Sequence, residues 1–350
     1  MHGWMPEPAR DGHRRLDIGR SAASGLRALA SPAVLMPRIS SLADGYRSSA
    51  EDRLRRWCVS RLGSAPVEVF FVAQSMSQVR GVILGDGRRV ALKLREASAR
   101  VLACASAQRA AREAGIDCPG LVAGPDLLPT GVWVTAEEWR PEGLPEAPGD
   151  SAESYVALQH RLLAAVSATA TASFDPPPPW AHYDHSDPGR VWPKAASPRW
   201  DPESAQVPAE LRRLASAARE RLMAERLPQV VGHTDLNGLN VRWAPHPIVH
   251  DWDSLAARPE CVHAGILAVN HVELPGVGRI TAVGDTERAL DLYQRSRPFS
   301  QVETELAWAA GIWVAAYNAA FEYLHGSRGE VSTRLESDSS QRLRLAGCTP

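Results

Sequence analysis

Residues 230–243 read VVGHTDLNGLNVRW and residues 248–254 read IVHDWDS. An acid, Asp235, precedes an amide, Asn240, by five positions, and a second acid, Asp251, follows the amide by eleven. These residue types at this spacing suit phosphoryl transfer. ATP is handled with Mg²⁺, a hard cation that takes oxygen ligands, so the Asp251 carboxylate and the Asn240 amide oxygen can together hold it against the phosphates. A third group must orient the attacking hydroxyl and accept its proton late in the transfer. Asp235 fits that role, on a loop curled so that its side chain and that of Asn240 face one cleft.

Such groups need elements to position them. The apolar spacing of Leu54, Trp57, Cys58 and Leu62 predicts an amphipathic helix over 49–62. Residues 67–73, 79–84 and 89–94 are rich in β-branched and aromatic types and predict three strands, the last two joined at an Asp86-Gly87 turn. An Ala-rich helix follows over 97–114, ending at Gly115, and GVWVTAEE at 131–138 predicts a further strand. Helix, three strands, helix and strand describe a small mixed lobe. The Pro- and Gly-rich stretch 141–150 is the candidate boundary, beyond which the pattern is mainly helical. The expected domains are a poorly ordered extension over 1–45, an N-terminal lobe over 46–143, a helical C-terminal lobe over 144–326, and a disordered tail over 327–350.

The two motifs resemble the aminoglycoside phosphotransferase and choline kinase superfamily, whose catalytic loop reads H-G-D-x-x-x-x-N and whose following strand ends in I-D-W-E/D. His233, Asp235 and Asn240 fall on the loop positions, Asp251 on the metal-binding acid, and Trp252-Asp253 on the pair after it. Thr234 stands where that family usually has Gly, which implies a local backbone adjustment. The resemblance spans roughly residues 64–326. It implies an α+β, protein-kinase-like two-lobed fold, with an antiparallel sheet in the small lobe and ATP in the cleft.

The resemblance also implies roles. Asp235 would be the catalytic base, Asn240 and Asp251 the Mg²⁺ ligands, and His233 a support for the loop. Lys93, in the alternating run VALKL, would meet the α and β phosphates. The turn Gln74-Ser75-Met76-Ser77-Gln78 has no glycine, but its backbone N–H groups and the Ser75 and Ser77 hydroxyls would reach the phosphates. Glu138-Trp139-Arg140 would form the hinge whose main chain bonds the adenine edge. Kinases of this type also hold the lysine with a Glu from the next helix, yet Cys104 to Gln108 carries no acid. Glu96 and Glu113 are the nearest acids, Gln108 is a possible substitute, and the partner stays unassigned.

Composition sets limits on everything else. A net charge of −1 over 350 residues gives no global field for nucleic acid or an anionic membrane. The five cysteines are scattered without a CxxC pair, which fits a reducing cytoplasm. The most apolar segment, 306–324, reads as a buried helix and not as a membrane span. His246, His250, Cys261 and His263 offer mixed ligands for zinc, but no tight pair closes such a site. Trp180, Trp192 and Trp200 interrupt a polar, Pro-rich stretch with Asp184 and Asp187, which either lines an acceptor pocket or packs on itself. The expected acceptor is a hydroxylated small molecule, an aminoglycoside or other antibiotic first, with choline-like, sugar or amino-acid alcohol metabolites as alternatives. A catalytically weak ATP-binding protein of the same fold is the other alternative, suggested by the missing helix acid. A protein kinase ranks lower, since no A-P-E follows Asp251.

Overall fold

The computed structural model describes residues 41–74, 77–96, 98–195, 201–326 and 328–348, with main chain only over 41–49. Helix α1 (Ser41–Leu62) leads into strands β1 (Pro66–Gln74), β2 (Gln78–Leu84) and β3 (Arg89–Glu96). Helix α2 (Arg100–Glu113) follows, and then β4 (Leu121–Leu127) and β5 (Val132–Glu138). The five strands form an antiparallel sheet in the order β1-β2-β3-β5-β4. Gly87 turns the β2–β3 hairpin at φ 85°, a left-handed conformation that glycine adopts without steric cost.

Alternation along β3 divides its side chains between two faces. Val90 and Leu92 join Val134 and Ala136 of β5 in a core covered by Leu54, Trp57, Cys58 and Leu62 of α1. Lys93 and Arg95 therefore point to the other face, toward the cleft. β4 was not expected as a strand, because Gly124-Pro125 interrupts it. As the edge strand it tolerates the missing donor, and its register to β5 shifts between Ala123 and Asp126.

The helical lobe contains α3 (Ser151–Ala165), α4 (Ala209–Met223), α5 (Glu260–Asn270), α6 (Val283–Gln294), α7 (Gln301–Leu324) and α8 (Glu330–Leu345). Asp150 caps α3 by accepting the Ala152 N–H at 3.0 Å. Ser300 and Glu303 close a capping box on α7. α7 is the apolar segment noted in the sequence. It is buried from Leu306 to Tyr317, with Gly265 of α5 lying directly against its Ala307 backbone. Among the described residues no helix is long and apolar enough to cross a membrane.

The tail expected to be disordered from 327 is instead helix α8. Its Val331, Leu335 and Leu343 are buried in the main core, and Glu322 of α7 accepts the Gly329, Val331 and Ser332 N–H groups at its start. Residues 1–40 of the expected extension lie outside the described residues, and α1 already begins at Ser41. Two small ladders complete the lobe: β6 (Gln229–His233) with β9 (Leu255–Pro259), and β7 (Val241–Trp243) with β8 (Pro247–Val249).

Candidate active site

The loop after β6 is organised by His233. The Asp235 N–H donates to its Nδ1 at 3.1 Å, so Nδ1 carries no proton, and Nε2–H reaches the His250 carbonyl at 3.1 Å. The ring is thus neutral and spans both motif segments, and burial keeps its pKa below the ordinary value. Thr234 is buried, with its hydroxyl donating to the Ser254 carbonyl at 2.7 Å and accepting from Trp180 Nε1 at 3.0 Å. Its backbone is not left-handed, so glycine is not required there.

Asp235 accepts hydrogen bonds on both carboxylate oxygens. Asn237 Nδ2 lies 2.8 Å from Oδ1 and Asn240 Nδ2 lies 2.6 Å from Oδ2. Because the Asn240 nitrogen is engaged this way, its amide oxygen is the atom left to face a cation. Burial, joined by the Asp251 charge, pushes Asp235 up to about 7, against the two amide donors.

The β7–β8 hairpin brings the main chain of Asn240 beside the segment that leads into Asp251. Val241 pairs with Val249, and the His250 N–H donates to the Asn240 carbonyl at 2.7 Å. The chain then turns at Asp251, whose φ of 52° is the only positive value at a non-glycine among the described residues. Such a conformation persists only where its surroundings fix it. Trp252 supplies one anchor: its buried indole donates to the Val249 carbonyl at 3.1 Å.

Lys93 reaches this loop from the other lobe. Its Nζ lies 3.9 Å from Asp251 Oδ1 and 3.3 Å from Glu137 Oε1. Burial alone would lower the lysine, but the Glu137 and Asp251 carboxylates outweigh it and hold its pKa above the ordinary value. The sequence left this lysine without a partner. The structure supplies Glu137, not Glu96, Glu113 or Gln108. Gln108 donates to the Pro119 carbonyl at 2.8 Å, and Glu113 is exposed.

The proposed hinge begins at the last β3–β5 pair, Val90 with Glu138, and continues into Trp139 and Arg140. Its side chains fasten it in place. Glu138 pairs with Arg112 at 2.8 Å and accepts the Gly120 N–H at 2.9 Å, and Arg140 pairs with Asp117 at 3.0 Å. Trp139 packs edge-on to Phe70 at 4.8 Å. Ser77 is half-buried just before β2, whereas Ser75 lies outside the described residues.

Among the Trp-bearing stretch, Trp192 is buried and Asp184 forms a two-point ion pair with buried Arg258. Both are structural, so the self-packed alternative holds for them; Trp200 lies outside the described residues. Trp180 is held at the motif by Thr234 and by Trp313, whose indole donates to its carbonyl at 2.8 Å. No group of three or more His, Cys, Asp and Glu among the described residues is arranged to hold a metal, so the zinc reading gains nothing.

Two residues near Asp235 carried no sequence signal as site residues. Asn237 donates to Glu273 Oε2 at 3.1 Å as well as to Asp235, which ties the two carboxylates together. Glu273 follows α5 in an otherwise irregular segment and forms no ion pair among the described residues. Burial, joined by the Asp235 and Glu322 charges, pushes it up to about 8.

No protein-family model matches the chain, and no curated protein matches it in sequence. Solved structures do match its fold. Amicoumacin kinase hAmiN, in complex with AMP-PNP, Ca²⁺ and Ami, aligns with a TM-score of 0.54 at 14% identity, over 87% of this chain and 96% of that one. A thermostable mutant of aminoglycoside phosphotransferase APH(4)-Ia in apo form aligns at 0.52 and 11% identity, over 84% of this chain and 100% of that one. A ternary complex of such a mutant with AMP-PNP and hygromycin B aligns at 0.53 and 11%, covering 85% and 99%. The chain therefore has a protein-kinase-like two-lobed fold. Within that class its architecture is the one found in aminoglycoside phosphotransferases and amicoumacin kinase.

Proposed function

We propose that this chain is a small-molecule kinase that transfers the γ-phosphoryl group of ATP to a hydroxyl. The observation that carries this reading is the meeting of Lys93 with Asp251 at 3.9 Å, because two separately expected residues, 158 positions apart in sequence, arrive at one cleft. Hard oxygen donors suit Mg²⁺: the Asp251 carboxylate and the Asn240 amide oxygen would hold it, where it neutralises phosphate charge. Lys93 would contact the α and β phosphates. The main chain of Glu138, Trp139 and Arg140 would bond the base.

Asp235 would orient the acceptor hydroxyl and take its proton as the new O–P bond forms, while the bond from γ-phosphorus to the β,γ-bridging oxygen breaks and ADP leaves. A carboxylate pushed up to about 7 is poised to accept a proton near neutrality. His233 would hold the loop without reacting. The missing helix acid favoured an inactive relative, and Glu137 beside Lys93 removes that argument.

The acceptor we infer carries a basic nitrogen near the reacting hydroxyl, as aminoglycosides and several other antibiotics do. Support comes from Glu273, half-buried beside Asp235 with no cation of its own among the described residues. A panel of hydroxylated antibiotics and metabolites, scored for ADP release, tests this. Release with amine-bearing antibiotics is expected; release only with neutral sugars would overturn the choice of acceptor and leave the kinase reading standing.

A further inference from the structure

Lys93 and Glu137 belong to a longer run of alternating charge. Starting at the metal loop, Asp251 faces Lys93 at 3.9 Å, Lys93 faces Glu137 at 3.3 Å, Glu137 faces Arg95 at 3.7 Å, and Arg95 Nε meets Asp253 Oδ2 at 2.6 Å. The run begins and ends on the same short loop, the one built on Asp251, Trp252 and Asp253. Its middle members come from two neighbouring strands of the other lobe.

Strand register explains the arrangement. Lys93 pairs with Thr135 and Ala91 pairs with Glu137, so period-2 alternation places Lys93, Arg95, Thr135 and Glu137 on one face of the sheet. Glu137 is diagonal to Lys93, and Arg95 reaches back to the Thr135 hydroxyl at 2.8 Å. The side chains of Lys93 and Glu137 are only 8% and 4% exposed, so little solvent screens their attraction.

Helix α2 occupies the place from which other kinases supply the acid, and it contributes none here. Its buried face consists of Val101, Cys104, Ala105, Ala107, Gln108 and Ala111. What the helix does supply is Arg100, whose guanidinium donates to the main-chain carbonyls of Asp253 and Leu255. The helix is thus fastened to the backbone of the metal loop and not to the lysine.

We propose that Glu137 and Arg95 are positioning residues of the nucleotide site, Glu137 setting Lys93 and Arg95 setting the Asp251–Asp253 loop. This rests on the kinase reading above and deepens it. Where the lysine's partner sits on a helix, displacing the helix breaks the pair and switches the enzyme off. Here the partner sits one strand away in a hydrogen-bonded ladder, so the lysine is set whenever the sheet is folded. The site is built to be constitutively assembled, without a control step at α2.

The test measures binding of AMP-PNP to the full chain by calorimetry, with Mg²⁺ and with EDTA, so no acceptor need be known. Glu137→Gln keeps the side-chain size and removes the charge. It is expected to weaken binding at least tenfold in both conditions, with Glu137→Asp staying within threefold of wild type. Arg95→Met is expected to lose at least tenfold of the gain that Mg²⁺ provides, over and above any loss in EDTA, with Arg95→Lys intermediate. Thermal melts of each variant separate these effects from unfolding, since a variant still fully folded at the assay temperature can lose affinity only through its site. Glu137→Gln binding within twofold of wild type, or an undiminished Mg²⁺ gain in Arg95→Met, would overturn the proposal and leave the kinase reading intact. A wild-type chain that binds no Mg·AMP-PNP would overturn both.

Discussion

Asn240 and Asp235 form one hydrogen-bonded unit, the Asn240 amide nitrogen lying 2.6 Å from Asp235 Oδ2 and 2.9 Å from the Asp235 carbonyl oxygen. The proposed base and a proposed metal ligand are therefore set by each other. Moving either one moves both.

Asp235→Asn is the direct consequence to measure. It keeps the shape and removes the proton acceptor, so turnover should fall by about 10²–10⁴-fold, the usual weight of general base catalysis. Mg·nucleotide affinity should fall as well, though by less, because the new side-chain amide opposes one of the Asn237 and Asn240 donors and so disturbs a proposed metal ligand. Steady-state kinetics with a titration of Mg·AMP-PNP reads both.

Asp251 separates function from stability. Its left-handed backbone, φ 52° and ψ 58°, costs an aspartate roughly 1–3 kcal/mol that glycine avoids. Asp251→Gly should abolish turnover while leaving unfolding free energy unchanged or slightly raised, by denaturant titration. A large drop in stability would mean that the carboxylate, and not the surrounding hairpin, holds the turn.

A pH effect on stability follows from His263. The ring is buried, its Nε2–H donates to the Val230 carbonyl at 3.1 Å, and burial pushes its pKa down to about 4. The unfolded chain, with an ordinary histidine near 6.5, binds more protons between those values. Stability is therefore intact above about 6.5 and lost as pH falls toward 4, by about 3 kcal/mol over the whole window. Denaturant midpoints at pH 7 and pH 5 should differ accordingly, and His263→Gln, which cannot titrate, should flatten that part of the dependence.

The C-terminal helix is a fourth test. Leu335 of α8 is wholly buried in the main core. Leu335→Ala should cost about 2–5 kcal/mol, as for other buried leucines, seen as a lower melting temperature. An unchanged melt would indicate that α8 does not pack in solution.

That helix also marks where sequence reading stopped. The motif residues were legible because each lies in a contiguous loop whose spacing encodes its geometry, and Lys93 because alternation on β3 is local. α8 was not, since its sequence EVSTRLESDSSQRLRL is mostly polar and its few apolar positions gain meaning only against α7. β4 was hidden by Gly124-Pro125, which an edge strand tolerates. Glu137 lay in an expected strand, yet nothing local distinguishes it from Glu138. Only the pairing of β5 with β3 turns Glu137 toward Lys93 and leaves Glu138 for Arg112. Glu273 has no motif at all and is brought to Asp235 through Asn237. What the sequence lacked in each case was a long-range pairing.

The most direct measurement is ADP release from Mg·ATP by the purified chain across a panel of hydroxylated amines and antibiotics, with Asp235→Asn in parallel and the acceptor followed by phosphorus NMR. The account predicts acceptor-dependent ADP formation matched one for one by a new phosphate ester, and its near-complete loss in Asp235→Asn. A wild-type chain that binds Mg·AMP-PNP but releases no more ADP than Asp235→Asn with every acceptor would contradict it.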